Sequence, residues 1–430
     1  MKTKGYKDSL AWKVVLKVCA LLLGGVFIFS GFVKAIDPLG TCYKITDYIE
    51  AFDLTSLVPS FLPLMLSVAL CMLEFTVGVM LLLRVRRKLS SFLALVMLIV
   101  MTPLTFYLAL TNPISDCGCF GDALVLTNWQ TFGKNVVLLM AAVVVNLDRE
   151  GLYKFFAPTK DWMVSLWAVI FIMGVAMYCL YYLPLIDFRP YKVGVNIPEA
   201  MAIPEGAKRS VFDTRFVYEK DRKQQKFGLD NLPDSTWTFV EQEIVLLQKG
   251  YEPPINDFTL LNTEMSEEVT EELLANEGYT FLLVVHRVEE ANDSDTDLVN
   301  EVYDYSVEHG YAFYALTSSP EDEIEEWRER TGAEYPFLIG DDVMLKTVVR
   351  SNPGLLLLKQ GTILNKWPHT EIPDEFMLTD ALDKIEIGQQ AEIDKTKRLG
   401  MLAGIFLLPL LLIALQDWTF RKRKDEAEKD

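Results

Sequence analysis

Two cysteines separated by one glycine, Cys117-Gly118-Cys119, are the residues whose type and spacing point most directly to chemistry. They lie in Ser115-Asp116-Cys117-Gly118-Cys119-Phe120-Gly121-Asp122, a short loop between two strongly apolar segments. Thiolates exchange with disulfides, and a strained bond is the more easily reduced. A Cys-x-Cys bond closes a very tight ring, and Gly118 has the backbone freedom to allow it. Cys42 falls on the same side of the membrane by the topology derived below. One bond among three thiols leaves one free to attack it, so Cys42 is expected to act as relay or resolving thiol. Lys44, two residues after Cys42, would lower that thiol's pKa if it points the same way, and Asp116 would raise that of Cys117.

Other readings stay open beside this one. Extracytoplasmic cysteines are often structural, and a Cys42–Cys117 or Cys42–Cys119 bond would staple two loops together. A metal site is not expected, because the membrane part has no His to complete a four-ligand set. Cys19, Cys71 and Cys179 fall inside apolar segments, where cysteine packs as a small hydrophobe. Glu74 lies near the middle of such a segment. A carboxylate there is costly, so it is either functional or held by a polar interior partner. His286, His309 and His369 are scattered and read as surface or structural residues.

The elements that must position these residues divide the chain in two. Of its 430 residues 51% are hydrophobic, yet the formal net charge is -18. Residues 11–186 are nearly uncharged apart from short clusters, while 187–396 carry most of the Asp and Glu. A membrane part is therefore joined to an acidic, water-soluble part, and the acidity argues against nucleic-acid binding. Spans of the length a bilayer requires are expected near 13–35, 61–83, 89–111, 132–147, 163–185 and 398–416. Basic clusters mark the cytoplasmic side: Lys2, Lys4 and Lys7; Arg84, Arg86, Arg87 and Lys88; Arg149, Lys154 and Lys160; Arg421, Lys422, Arg423 and Lys424. Both termini are then inside, and loops 36–60 and 112–131 and the segment 187–396 are outside. The first span has no clear cleavage site and is kept as an anchor. Pro103, between Thr102 and Thr105, is expected to kink the third span, with the hydroxyls satisfying freed backbone groups.

In the soluble part, Thr236–Val240 and Glu243–Leu247 read as strands, and residues 190–255 show no catalytic motif. Further on, strands are expected at Tyr279–His286, Tyr311–Leu316, Pro336–Leu338 and from Gly354 to Leu358. Helices are expected near 295–309 and 320–331, the latter with Ser319 as N-cap and Pro320 at N1. Gln360-Gly361 reads as a hairpin turn into Thr362–Trp367. The pattern is an α/β sandwich.

Ser30-Gly31-Phe32-Val33-Lys34-Ala35-Ile36-Asp37-Pro38 resembles the end of the first helix in the DoxX family of four-helix membrane proteins. Asp116-Cys117-Gly118-Cys119-Phe120-Gly121-Asp122, followed by Leu126-Thr127-Asn128-Trp129-Gln130, resembles the related MauE proteins, which are linked to maturation of the disulfide-rich small subunit of methylamine dehydrogenase. The likeness covers about residues 11–147 and implies a four-helix bundle with its thiols at the outer mouth. That plan is similar to membrane enzymes that pass electrons from dithiols to quinones. Those usually carry Cys-x-x-Cys, whereas this chain has Cys-x-Cys, so quinone is a cofactor that no specific motif supports. Residues 250–390 resemble the periplasmic TlpA-like branch of the thioredoxin fold, through the Pro254-Ile255-Asn256-Asp257-Phe258-Thr259-Leu260 opening and Pro353, where that fold has its cis-proline. Its redox Cys-x-x-Cys should follow the first core strand, but the chain reads Arg287-Val288-Glu289-Glu290-Ala291-Asn292 and has no cysteine anywhere in this part. Without a thiolate there is no exchange chemistry there.

The expected architecture is an α-helical membrane bundle with an α/β thioredoxin-like soluble domain: a four-helix membrane domain at 1–160, a fifth span at 161–186, a connecting segment at 187–250, the thioredoxin-like domain at 251–396, and a sixth span with a basic tail at 397–430. The expected function is thiol–disulfide redox or maturation of envelope proteins at a bacterial inner membrane. Cys117 and Cys119 would exchange, and lipid and an extracytoplasmic thiol or envelope protein would be the partners. The rival is a non-enzymatic scaffold whose cysteines staple loops and whose outer domain binds an envelope protein. A transporter would need intramembrane charges beyond Glu74 and clear inverted repeats.

Overall fold

The computed structural model describes residues 9–114, 116–148, 150–151, 154–208, 211–220, 223–228, 231–234, 236–248, 250–392 and 394–427. Ser115 and the basic residues Lys2, Lys4, Lys7 and Arg149 lie outside the described residues. Among those described, six helices are long and apolar enough to cross a membrane. The first, α1 (Leu10–Ile36), starts on Ser9, whose hydroxyl accepts a hydrogen bond from the Trp12 amide. Its last residue abuts Asp37, which caps a second helix, α2 (Pro38–Ala51). From the sequence alone this stretch reads as loop. Asp37-Pro38 is nevertheless an N-cap followed by proline at N1, and the Asp37 Oδ1 accepts the Gly40 amide at 2.9 Å. The helix escapes a search for spans because it is short and amphipathic.

The remaining bundle helices are α3 (Leu62–Leu82), α4 (Arg87–Thr111), α5 (Asn128–Leu147) and α6 (Asp161–Tyr181). Pro103 lies within a continuous α4, and the Thr102 and Thr105 hydroxyls donate to the Leu98 and Met101 carbonyls. Close approach of α1 and α3 depends on glycine. A Cβ on Gly78 would lie 2.6 Å from the Ile28 amide nitrogen, and one on Gly31 would collide with the Phe75 backbone. Small residues of this kind let helices in lipid meet backbone to backbone.

The soluble part opens with α7 (Ile197–Met201), followed by β1 (Val211–Lys220), β2 (Lys223–Gly228) and β3 (Thr238–Gln248), an antiparallel sheet in the order β2-β1-β3. The two strands expected at 236–247 are one continuous strand. Then come β4 (Leu260–Leu261), α8 (Thr270–Leu274), β5 (Tyr279–Val284), α9 (Thr296–His309), β6 (Ala312–Thr317), α10 (Glu321–Thr331), β7 (Phe337–Gly340), α11 (Asp342–Val348), β8 (Gly354–Lys359) and β9 (Thr362–Pro368). Their sheet runs β4-β7-β6-β5-β8-β9, with β5, β6 and β7 parallel and β4, β8 and β9 antiparallel to their neighbours. Both faces are covered. Phe281 and Leu283 pack on one side, Leu282 and Val284 on the other, which is why β5 reads as an unbroken apolar run. Tyr191 and Ile197 are fully buried on the second face, so packing of this unit begins well before residue 251.

One local expectation is corrected. Pro320, not Ser319, is the N-cap of α10; the Ser319 hydroxyl instead donates to Glu289 and accepts from the Val288 amide. And α11 was not anticipated, being only seven residues long. The Asn352–Pro353 peptide is cis and leads directly into β8. The chain ends in α12 (Lys395–Ala427), which packs against α6, with the Trp167 indole donating to the Phe406 carbonyl at 2.9 Å.

Candidate functional site

The loop from α4 to α5 is held at both ends. Asn112 ends α4 in the left-handed region, and the Asn128 side chain donates to the Asn112 side chain at 2.9 Å and to the Ile114 carbonyl at 2.8 Å. Thr127 and Gln130 form a reciprocal capping box that starts α5. Within the loop, Gly118 (φ 65°) and Gly121 (φ 50°) supply the positive φ that turns the chain, and Asp116 Oδ1 accepts the Gly118 amide at 2.8 Å. Two helices grip the peptide around the cysteines. The Tyr48 hydroxyl of α2 donates to the Cys117 carbonyl at 3.2 Å, and the Ser30 hydroxyl of α1 donates to the Cys119 carbonyl at 2.8 Å.

This grip brings the two sulfurs to 3.0 Å. All six cysteines are free thiols. The Cys119 thiol is pulled below its ordinary value by the hydrogen bond from Cys117, against the effect of burial, with the positive charges of Lys134 and Lys34 helping. The Cys117 thiol is pushed up by that same hydrogen bond and by burial. Asp116 is not the main cause: its carboxylate is engaged by Lys44 at 3.1 Å.

Cys42 is placed differently from the expectation. It is half-buried on α2 and its pKa is raised by burial, with Lys346 of α11 opposing. Lys44 does not lower it. Residues two apart on a helix do not face each other, and Lys44 points to the loop, where it pairs with Asp116, while also reaching Asp47 on its own helix. Cys42 borders a cleft of about 910 Å³ between the bundle and the soluble domain; Gly118, Asp122, Arg287, Lys346 and Arg350 also line it. The structure thus brings the Cys117 and Cys119 thiols into contact and sets Cys42 on the cleft.

Sequence reasoning missed the residue that closes this cleft. Arg350 precedes the cis-proline loop, and its guanidinium lies 2.8 Å from Asp37 and 3.3 Å from Asp122. Nearby, the segment Arg287–Asn292 that replaces a Cys-x-x-Cys is tied to the same loop: the Asn352 side chain donates to the Arg287 carbonyl, and the Asn292 amide to the Asn352 carbonyl, both at 2.9 Å. The face of the soluble domain carrying those segments therefore meets the end of the bundle that carries the thiols.

Glu74 has a polar interior partner. Lys34 Nζ lies 2.6 Å from its Oε2 and 2.9 Å from the Ser30 hydroxyl. Lys34 belongs to the quoted DoxX-like stretch, but nothing in the sequence pairs it with Glu74; the glycine crossing of α1 and α3 does. Cys71 and Cys179 are buried in helix packing and Cys19 is partly buried in it. His309 stacks on Tyr311, His369 hydrogen-bonds Ser351, and His286 is buried with its pKa lowered to about 4, chiefly by burial. Among the described residues no cluster of His, Cys, Asp and Glu is arranged to hold a metal.

Residues 12–147 match the family described as "Methylamine utilisation protein MauE". This part of the chain is a MauE domain. The match ends where α5 ends and includes every residue of the thiol loop. A second match, to a "Domain of unknown function (DUF8463)", covers residues 212–249, the three-stranded sheet. No curated protein matches this chain. Among solved structures, a candidate protein disulfide isomerase from Bacteroides thetaiotaomicron is 16% identical, covering 28% of this chain and 77% of that one, with a TM-score of 0.23. An uncharacterised conserved protein from Geobacillus kaustophilus is 18% identical, covering 32% and 82%, with a TM-score of 0.24. At such scores the thioredoxin-like assignment rests on the strand order and the cis-proline position. The MauE domain and the thioredoxin-like domain meet through Arg350.

Proposed function

We propose that the protein carries out thiol–disulfide exchange for envelope proteins, with Cys117 and Cys119 as the exchanging pair. The supporting observation is the 3.0 Å separation of their sulfurs in a loop held by Tyr48 and Ser30. Cys42, on the cleft, is the relay or resolving thiol. The cysteine-free soluble domain docks over the thiols and presents an extracytoplasmic thiol-bearing partner. The location is a bacterial inner membrane, with both termini in the cytoplasm and residues 187–396 in the periplasm, where disulfides persist.

The test is thiol trapping in intact cells, with acid quenching and differential alkylation. Cycling of Cys117 and Cys119 between dithiol and disulfide is expected, together with its loss in Cys117→Ser and Cys119→Ser. A single permanent bond, unchanged by growth conditions, refutes the reading.

The absence of cysteine from the soluble domain favours a second reading, a membrane scaffold. In that case serine variants of Cys42, Cys117 and Cys119 would leave partner binding intact.

A further inference from the structure

The loop separates two spaces. On one side Gly118 borders the cleft. On the other, Cys119 borders a small chamber of about 40 Å³ inside the MauE bundle, with Lys34, Glu74, Lys134 and Asn135. Pockets for organic ligands hold upwards of about 300 Å³, so this chamber suits charge and a few water-sized groups.

Its charges do not cancel. Lys34 and Glu74 neutralise each other at 2.6 Å. Lys134, on α5, has its ammonium 4.3 Å from the Phe120 ring centroid, and no described carboxylate lies within ion-pair distance of it. Lys134 is only partly buried, and even partial desolvation of an ammonium favours a nearby counter-ion. Of the uncharged groups lining the chamber, Cys119 is the one able to become an anion.

We propose that Cys119 is the leaving sulfur of the Cys117–Cys119 disulfide and that Lys134 is the positioning cation that receives it. This deepens the exchange reading and rests on it. An incoming thiolate attacks the Cys117 sulfur. A new S–S bond forms there, the Cys117–Cys119 bond breaks, and its electron pair stays on Cys119 as a thiolate facing Lys134. No proton moves and no further oxidant is consumed. In reverse, the Cys119 thiolate attacks Cys117 in the mixed disulfide and expels the incoming group. Thiols of low pKa leave faster, and in the reduced pair the hydrogen bond from Cys117 holds Cys119 below the ordinary thiol value.

The groups facing Cys119 come from every element around it. The loop contributes the Cys117 thiol, α1 Lys34, α2 the Tyr48 hydroxyl, α3 Glu74 and α5 Lys134, while α4 brings only apolar Met97, Leu98 and Met101.

The experiment is the pH dependence of Cys119 alkylation by iodoacetamide in the reduced full-length protein, read by peptide mass spectrometry. The wild-type midpoint is expected below the ordinary thiol value. Lys134→Met should raise it by about one unit, a tenfold loss of thiolate at fixed pH, and slow release of Cys119 from its disulfide by a small thiol. Lys134→Arg should restore both. An unmoved midpoint in folded Lys134→Met overturns the proposal. So does a wild-type midpoint near the ordinary thiol value of about 8.5, a measurement that stands even where Lys134→Met does not accumulate. Alkylation needs no partner, so the two readings fail separately. Cycling in cells without dependence on Lys134 sinks this inference alone, and a Lys134-dependent midpoint without cycling sinks the exchange reading.

Discussion

Arg350 of the thioredoxin-like domain grips Asp37 of the MauE domain with two nitrogens, Nε at 3.0 Å and Nη2 at 2.8 Å from Oδ2. Asp37 is the residue on which α1 ends and α2 begins, so this contact fixes the soluble domain to the hinge of the thiol-bearing end. The Arg350 side chain is only 8% exposed, which makes the pair a buried one.

Removing one partner of a buried pair strands the other, at a cost on the order of 3 kcal/mol or more. Arg350→Ala is therefore expected to undock the domain and raise the alkylation rate of Cys42 several-fold. Arg350→Lys should fall between, because lysine lacks the two-pronged fork. Asp37→Asn keeps an acceptor for the Gly40 amide and should undock the domain without unwinding α2. Alkylation rates of Cys42 unchanged in all three variants would contradict the latch.

Acid should act on the same contact with a predictable sign. Burial alone would raise the Asp37 pKa, but the charge and hydrogen bonds of Arg350 outweigh it and hold the carboxyl below its ordinary value. Its contribution to docking is thus complete above about pH 4 and disappears as pH falls through the depressed value. Asp122 goes the other way: burial raises its pKa, so its charge opposes docking near neutrality and is relieved on protonation. Docking, followed by energy transfer between a dye on the soluble domain and one on the bundle, should hold or tighten slightly from neutral pH to about pH 4, then fail. Asp122→Asn should remove the tightening and keep the acid loss. Loosening that begins well above pH 5 would count against this assignment.

The spans were legible because each is a long apolar run, and the Cys-Gly-Cys loop because its residue types are chemically distinctive. Helix α2 was not, because an amphipathic segment of about four turns looks like a polar loop beside such runs. Cys42 and Lys44 are adjacent on paper but lie on different sides of that helix, which redirects Lys44 to Asp116. Arg350 left no local signal at all, since its partner is 313 positions away. Glu74 stood out as a charge in lipid, whereas Lys34 was hidden at the end of a span; only packing of α1 on α3 reveals them as one unit. Lys134 gave no cue either: its relation to Cys119 exists only once α5 is folded against the loop.

The α1–α3 crossing has its own test. Gly78→Leu would force a side chain against the Ile28 backbone nitrogen, 2.6 Å from the new Cβ. Overpacking of this kind costs about 1–3 kcal/mol and should separate the helices enough to break the Lys34–Glu74 contact. Thermal unfolding in detergent should shift downward. Gly133→Leu, on α5, has open space at its Cβ and should leave the transition in place; equal destabilisation by both variants would refute the role given to close helix approach.

The Lys34–Glu74 pair predicts a double-mutant cycle in which stability and reactivity separate. Glu74→Gln strands the Lys34 ammonium and Lys34→Met strands the Glu74 carboxylate; each should cost on the order of 3 kcal/mol. Lys34→Met combined with Glu74→Leu removes both charges and should recover most of that loss, because an apolar pair needs no desolvation. The pair's effects on Cys119 have opposite signs, Lys34 lowering its pKa and Glu74 raising it, so deleting them together should leave the thiol midpoint nearly where Lys134 and Cys117 set it. Denaturant unfolding in detergent gives the stability arm and Cys119 alkylation the other. Additive destabilisation in the double variant would mean that the two residues do not act as a pair. A stable double variant with a midpoint near that of an ordinary thiol would mean that Lys34, rather than Lys134, carries the charge that matters to Cys119.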